Sequence, residues 1–422
     1  MLSGLYDKIK FSGMWLDMNE PSNFRREESV LEDYSVQHRD SINIMTMNVN
    51  VQHYNSLDPT QPLNHSQVHA YYGHLQVMAT YRFFQSINQR PFIITRSNSV
   101  GTGRFAGHWT GDNAATWPFL RLSIGSNFLN QIFGIQMVGS DICGFHLSTT
   151  NQLCSRWHQL GSLYPFARNH NEIDSQDQEP WVFGNETLRT AKLSIDFRYS
   201  ILKQYYSIFV KNKGLGTIFR PLFFEFPNDE HAYIDQVEEK QFLIGDLLMS
   251  TPILEFGTNL THSYFPGTWF NLESGSVYSN WMNVTNTLPS APPVFLRSGR
   301  MLFLNNATTR THTLNSDFKL KVGFERVGAL YVSKGFILSI NNYNKETDLN
   351  LCIAQDCLYE FKAKMKHEDS AIELSWNFIG PKRLAHRLRV LSVNAFFPDR
   401  QPIQYSPIRI DISGTGRFNL GS

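Results

Sequence analysis

The chain has almost no excess of charge: 38 basic residues stand against 37 acidic ones in 422, a formal net charge of +1, with no long run of either sign. Nucleic acid and anionic membrane surfaces are therefore not expected partners, since both are recognised through concentrated positive charge. No apolar stretch reaches bilayer-spanning length, so no membrane segment is expected in this chain. The opening MLSGLYDKIK also lacks the basic-then-apolar layout of a signal peptide. The chain is therefore either cytosolic or targeted by a segment upstream of it. Cysteine is scarce, at four residues, and there is no CxxC or CxxH spacing to complete a tetrahedral zinc site. GxSxG, Walker A and HExxH patterns are all missing, which excludes nucleophile-elbow, P-loop and zincin chemistry; no cofactor or metal is expected.

What is present is apolar and aromatic. Hydrophobic residues make up 41% and charged residues 18%, the balance of a globular chain, and 422 residues suit two or three domains. Aromatics reach 14%, with 32 Phe, 17 Tyr and 8 Trp. Most of these must be core, but such rings also stack on the flat C–H faces of a pyranose. Five N-glycosylation acceptor patterns occur: Asn64-His65-Ser66, Asn185-Glu186-Thr187, Asn259-Leu260-Thr261, Asn283-Val284-Thr285 and Asn306-Ala307-Thr308. The cysteines fall as two close pairs, Cys143 with Cys154 and Cys352 with Cys357. Local pairs fit disulfides in an oxidising compartment; four buried thiols is the alternative.

Along the first part, short β-branched or aromatic runs alternate with longer amphipathic ones: FSGMWLDMNE, the helical HAYYGHLQVMATYRFFQSI, the strand RPFIITRS, the apolar FGIQMVGSD, and a helical stretch from about Thr187 to Lys211. That order implies parallel strands with helices between them. From about Phe242 onward the segments FLIGDLLMSTPIL, LYVSKGFILSI, CLYEFKAKM, AIELSWNFIG and RLRVLSVNAFF are strand-length and separated by turn residues, an all-β pattern with a break near Asn315.

Polar residues gather where the early strands end. Asp17, Asn19 and Glu20 follow one, Arg96 another and Asp141 a third, where both a closed barrel and an open doubly wound sheet place ligands. In Trp15-Leu16-Asp17-Met18-Asn19-Glu20-Pro21, two carboxylates lie three residues apart beside a Trp and a Met. Such carboxylates suit nucleophilic or acid/base work, though an acidic helix-capping loop reads the same way. The stretch from Arg96 to Asn113 brings glycines up to His108, Trp109 and Asp112. Its Gly101-Thr-Gly103-Arg-Phe-Ala106 loosely matches a dinucleotide fingerprint, but no helix opens there. Carboxylates, arginines and aromatics without metal or phosphate motifs point to glycoside chemistry.

These blocks resemble glycoside hydrolase family 31, in the family's order. WLDMNEPSNF resembles its nucleophile block, Arg96 to Asn113 its acid/base block, GSDICGF and YPFARNHN its next two sugar-binding blocks, and RPLFFEFPND, FLIGDLLMSTPIL and SYFPGTWFN its passage into the first β domain. The resemblance implies an α/β fold: a partial (β/α)8 TIM barrel over 1–242, its amino-terminal strands missing, followed by two all-β sandwich-like domains at 243–315 and 316–422. It makes Asp17 the nucleophile, Asp112 the general acid/base and Glu20 a supporting carboxylate. Arg96, Trp109, Asp141 and His170 would line the subsite for a non-reducing glucose, walled by Trp15, Met18 and Phe145. The Cys143 and Cys154 spacing is similar to a disulfide of the lysosomal and digestive branch, whose members act on maltose-type linkages.

The implied reaction is retaining hydrolysis of terminal α-linked glucose. It needs two carboxyl groups about 5 to 5.5 Å apart, one attacking the anomeric carbon while the other protonates the leaving oxygen. Repulsion between the pair, with desolvation by Trp109 and Phe145, is expected to raise one pKa above about 3.9, and the pH optimum should be acidic or mildly acidic. The expected ligands are α-glucoside oligosaccharides, and a further partner is the missing amino-terminal half of the barrel. The expected location is lysosomal or extracellular. Competing expectations are an inactive fragment, a glucan-binding remnant, or another family activity such as α-xylosidase.

Overall fold

The computed structural model describes residues 2–21, 52–53, 58, 60–306, 317–339, 352–368 and 371–421. Ser22 to Phe24 of the first block, Ala307 and Thr308 of the fifth acceptor pattern and the expected break near Asn315 lie outside the described residues. The chain divides into two compact units, Met1–Gly111 with Ile132–Val138, and Asp112–Gln131 with Gly139–Ser422.

The first unit is built on parallel strands. Met14–Leu16, Ile93–Thr95 and Gly107–Trp109 lie side by side, with Leu16 opposite Thr95 and Thr95 opposite His108, and the strand beginning at Val138 follows in the sheet order. The helix expected around 69–87 runs Tyr72–Ser86 after a single 3-10 turn, His69–Tyr71. Its buried positions Gly73, Val77, Thr80 and Phe84 recur at spacings of three and four, the stripe of a helix lying on a core. Val77 and Phe84 pack with Leu16, Ile93 and Ala106, and each large apolar side chain so buried stabilises by about 1.5–3 kcal/mol.

The second unit opens in the same α/β manner. The parallel pair Asp141–Ile142 and Arg168–Asn169 is accompanied by the helices Asn151–Gly161 and Asn185–Lys211. Thr150 starts the first helix by accepting a hydrogen bond from Leu153 N, the residue type and geometry of an N-cap. The long helix begins at Asn185, two residues before the expected Thr187.

Then the chain becomes β. A six-stranded antiparallel sheet takes the order Val277–Thr285, Leu260–Asn271, Val294–Arg297, Leu248–Ser250, Phe242–Ile244, Phe219–Arg220. Two five-stranded sheets follow and share one core, among them Phe303, Phe318, Tyr331, Phe361 and Trp376. Strand Leu358–Lys366 shows why: Phe361, Ala363 and Met365 are buried while Glu360, Lys362, Lys364 and Lys366 are exposed, the period-two alternation of a sheet with one covered face. The architecture is thus the expected α/β barrel portion followed by β domains. Both close cysteine pairs are disulfides, with Cα separations of 4.5 Å for Cys143–Cys154 and 4.9 Å for Cys352–Cys357. Among the described residues, no helix is long and apolar enough to cross a membrane.

Candidate active site

In the first unit, strand register brings the two earliest motifs together. Leu16 and Thr95 are neighbours, so the residues that follow them, Asp17 and Arg96, leave the sheet at the same end. Arg96 N donates to Leu16 O at 2.9 Å. Its guanidinium then grips both carboxylates, with Nε and Nη2 on Glu20 at 2.9 and 3.0 Å and Nη1 on Asp17 at 3.2 Å. The fork on Glu20 is the bidentate geometry that fixes a carboxylate most firmly. Asp17 nonetheless stays accessible: its side chain is 48% exposed, against 17% for Arg96.

The Asp17 to Glu20 turn is held from beneath. Asn19 is buried, donates to Thr95 Oγ1 at 2.8 Å and accepts from Ser97 N at 2.9 Å. Met18 sits at φ +54, a left-handed conformation uncommon outside glycine, and its N–H donates to Asp17 Oδ1 at 2.7 Å. Trp15 and Trp109 face each other with ring centroids 4.2 Å apart; Trp15 and Met18 are exposed, whereas Trp109 is buried. His108 is buried between Thr95 O and Asn98, and burial pushes its pKa down to about 4, so the ring is neutral above that pH.

In the second unit, Asp112 is exposed and the next residue, Asn113, is buried. Asn113 Nδ2 donates to Asp141 O at 3.0 Å, and its carbonyl accepts from Phe145 N at 2.6 Å and His146 N at 3.1 Å. The segment carrying Asp112 is therefore stitched to the Asp141–Phe145 turn. Gly144 makes that contact possible, because at φ +91 a Cβ there would stand 2.3 Å from Ala115 Cα. Asp141 is buried and its Oδ1 accepts from Arg168 Nε at 3.1 Å and from Arg168 Nη2. Phe145 and His170 pack with ring centroids 5.2 Å apart.

Of the residues singled out by sequence, Trp15, Asp17, Met18, Glu20, Arg96 and Trp109 come together in one unit, and Asp112, Asp141, Phe145 and His170 in the other. Three supporting groups were not singled out. Arg168 lies inside the quoted YPFARNHN, so the block was visible but its partner was not. Asn19 stood in the first block without an assigned role. Gln178, 3% exposed, places its Nε2 within 2.9 to 3.2 Å of Ile142 O, Gly144 O, Asn169 Oδ1 and His170 O, four acceptors for its two amide hydrogens to share. No motif marks it. Among the described residues Cys143, Cys154 and His158 have metal-ligand proximity, within 4.8 Å of one another, but both sulfurs are committed to a disulfide.

A barrel portion with carboxylates at strand ends, held by arginines and followed by β domains, defines the class as a carbohydrate-type barrel protein with appended β modules. Comparison specifies it further. The family description "Glycosyl hydrolases family 31 TIM-barrel domain" matches residues 2–208, and the same family's C-terminal domain matches 216–302. The chain belongs to glycoside hydrolase family 31. It is 32% identical to the lysosomal acid alpha-glucosidase of Tetrahymena pyriformis, over 97% of this chain and 50% of that one. It is 37% identical to the lysosomal alpha-glucosidase of Mus musculus, over 69% of this chain and 30% of that one. The chain thus spans half or less of the length of these relatives. Among solved structures, a Flavobacterium johnsoniae family 31 dextranase complexed with glucose superposes with a TM-score of 0.73 at 19% identity, covering 93% of this chain and 47% of that one. At that identity the likeness speaks for the fold.

Proposed function

We propose that this chain is the carboxyl-terminal portion of a retaining α-glucosidase acting on maltose-type oligosaccharides, with Asp17 as nucleophile and Asp112 as general acid/base. The observation that carries the reading is the Asp17 carboxylate, accessible at a barrel strand end and oriented by Arg96, in a chain similar to lysosomal α-glucosidases.

In the first step Asp17 Oδ attacks the anomeric carbon, the glycosidic C–O bond breaks, and Asp112 gives its proton to the departing oxygen. In the second, water attacks the same carbon, Asp112 takes the water's proton, and the Asp17–glucose ester bond breaks. Arg96 contacts Asp17 through Nη1 at 3.2 Å while its Nε and Nη2 go to Glu20, which orients the nucleophile and leaves it open to solvent. Asp141, Phe145, His170, Trp15, Met18 and Trp109 are proposed to shape the glucose subsite, with Asp141 acting through Arg168. The names of the relatives, the two disulfides and the acceptor patterns support passage through the secretory route to a lysosome or the exterior.

The test is proton NMR of 4-nitrophenyl α-glucoside hydrolysis, in which the transferred glucose is the sole sugar product and its first anomer is read directly. Retention predicts α-glucose appearing before mutarotation, a rate that declines towards alkaline pH, and loss of about 10²–10⁴-fold in Asp112→Asn. First release of β-glucose, or full activity in Asp17→Ala, would sink the assignment.

A further inference from the structure

Of the five acceptor patterns, Asn259-Leu260-Thr261 has surroundings that suggest what an attached sugar would rest on. Asn259 is exposed at the entry of the Leu260–Asn271 strand. Its side-chain oxygen accepts from Arg156 Nη2 at 2.6 Å, and its carbonyl accepts from Asn286 N at 2.8 Å. Arg156 is itself buried and anchored on Asn286 Oδ1 and Asn286 O, both at 2.8 Å. A guanidinium offers only donors, so the amide must turn its oxygen inward, and its nitrogen occupies the opposite arm. That nitrogen is the atom an N-glycan is built on.

Three residues earlier stands Phe256, 75% exposed, with its ring steadied edge-on by Trp117 at a centroid separation of 6.3 Å. A single exposed Phe is ordinary; its offset from an acceptor asparagine is what makes this one informative. Between them Gly257 sits at φ +75 and Thr258 Oγ1 accepts from Leu260 N at 3.0 Å, a turn that reverses the chain between the ring and the amide. Thr261, the third residue of the pattern, follows on the strand.

We propose that Asn259 carries an N-linked glycan whose first N-acetylglucosamine lies with its apolar face on Phe256 and against Thr261. The inference rests on the secretory reading given above. In the transfer, Asn259 Nδ2 bonds to the anomeric carbon of a lipid-pyrophosphate-linked oligosaccharide. The bond from that carbon to the pyrophosphate oxygen breaks, one amide proton is lost, and the lipid pyrophosphate leaves. The Arg156 hydrogen bond survives, because it uses the oxygen. The stacked face removes apolar area from water on both partners, as aromatic–apolar packing does elsewhere. Asn185 and Asn283 offer less: Thr187 of the first pattern is buried with its hydroxyl engaged by Ser155 and Asn151 O, and three residues before Asn283 stands Asn280 rather than an aromatic ring.

The experiment has two arms. Protein from its own cells is deglycosylated enzymatically in 18O water and its peptides are sequenced by mass spectrometry; label at Asn259 is expected. Label at any of the other four acceptors but not at Asn259 overturns this proposal and leaves the secretory reading standing, whereas no label at any acceptor overturns both. Phe256→Ala is then compared in the parent and in Thr261→Val, which abolishes the acceptor while keeping a branched strand residue. Because the ring also touches Trp117, Phe256→Ala lowers Tm in both backgrounds, and seating of the glycan on the ring predicts a fall roughly 1 to 2 °C larger in the glycosylated parent than in the Thr261→Val background. An equal fall in both backgrounds contradicts the seating.

Discussion

Two arginine–carboxylate arrangements in this chain use the same chemical groups for different ends. Arg96 meets Asp17 and Glu20 where the carboxylates are 48% and 37% exposed, whereas Arg168 meets an Asp141 whose side chain is 1% exposed. An open pair in high dielectric is worth little to stability, so the carboxylate stays available for other work. A buried one cannot be abandoned by its partner without leaving a charge in low dielectric. In the proposed reaction the first arrangement orients a reagent; the second fixes the turn that carries Gly144 and Phe145.

The comparison can be broken at several places. The largest effect is expected for Arg168→Ala, which strands the Asp141 carboxylate and should lower the unfolding free energy by about 3–5 kcal/mol in urea titrations; a loss below about 1 kcal/mol would erase the distinction. Next come the buried histidines. Burial pushes both His108 and His158 down to about 4 from an ordinary 6.5. The unfolded chain therefore binds protons that the folded chain refuses between these values, and stability falls as pH drops from about 6.5 towards 4, by up to about 3 kcal/mol per ring. His158→Phe should flatten that slope, measured as Tm against pH; an unchanged slope would remove His158 from the account.

A smaller loss, about 1–3 kcal/mol, is expected for Gln178→Ala, since it removes the one amide group whose two hydrogens serve the cluster of Ile142, Gly144 and His170 carbonyls. The smallest stability effect belongs to Arg96→Ala, about 1 kcal/mol, because its carboxylates are open to solvent even though its fork on Glu20 is bidentate. In the same variant glucose release should fall at least about tenfold, about 1.4 kcal/mol of transition-state stabilisation. Equal stability losses in the two arginine variants would show that the exposed pair is also structural.

Much of this was legible in the sequence, for identifiable reasons. Asp17, Arg96 and Asp141 could be placed at strand ends because each follows a short apolar run, and the segments after Phe242 read as strands from their length and the turn residues between them. The Phe219–Arg220 strand did not, because two residues carry no period. Arg168 was visible but its bond to Asp141 was not, since it depends on a parallel pairing of two-residue strands 27 positions apart. Gln178 was illegible for a deeper reason: its role is set by carbonyls that converge only in three dimensions, and a backbone carbonyl leaves no mark on residue type. His108 could be quoted as a residue but its neutrality follows from burial, which one strand's pattern does not reveal.

The most direct test of the central claim is to trap the reaction halfway. A fluorinated glucosyl fluoride that slows the second step should leave glucose covalently attached to this chain, and peptide mapping by mass spectrometry should place the added mass on Asp17. Attachment at Asp112, Glu20 or any other carboxylate would contradict the account.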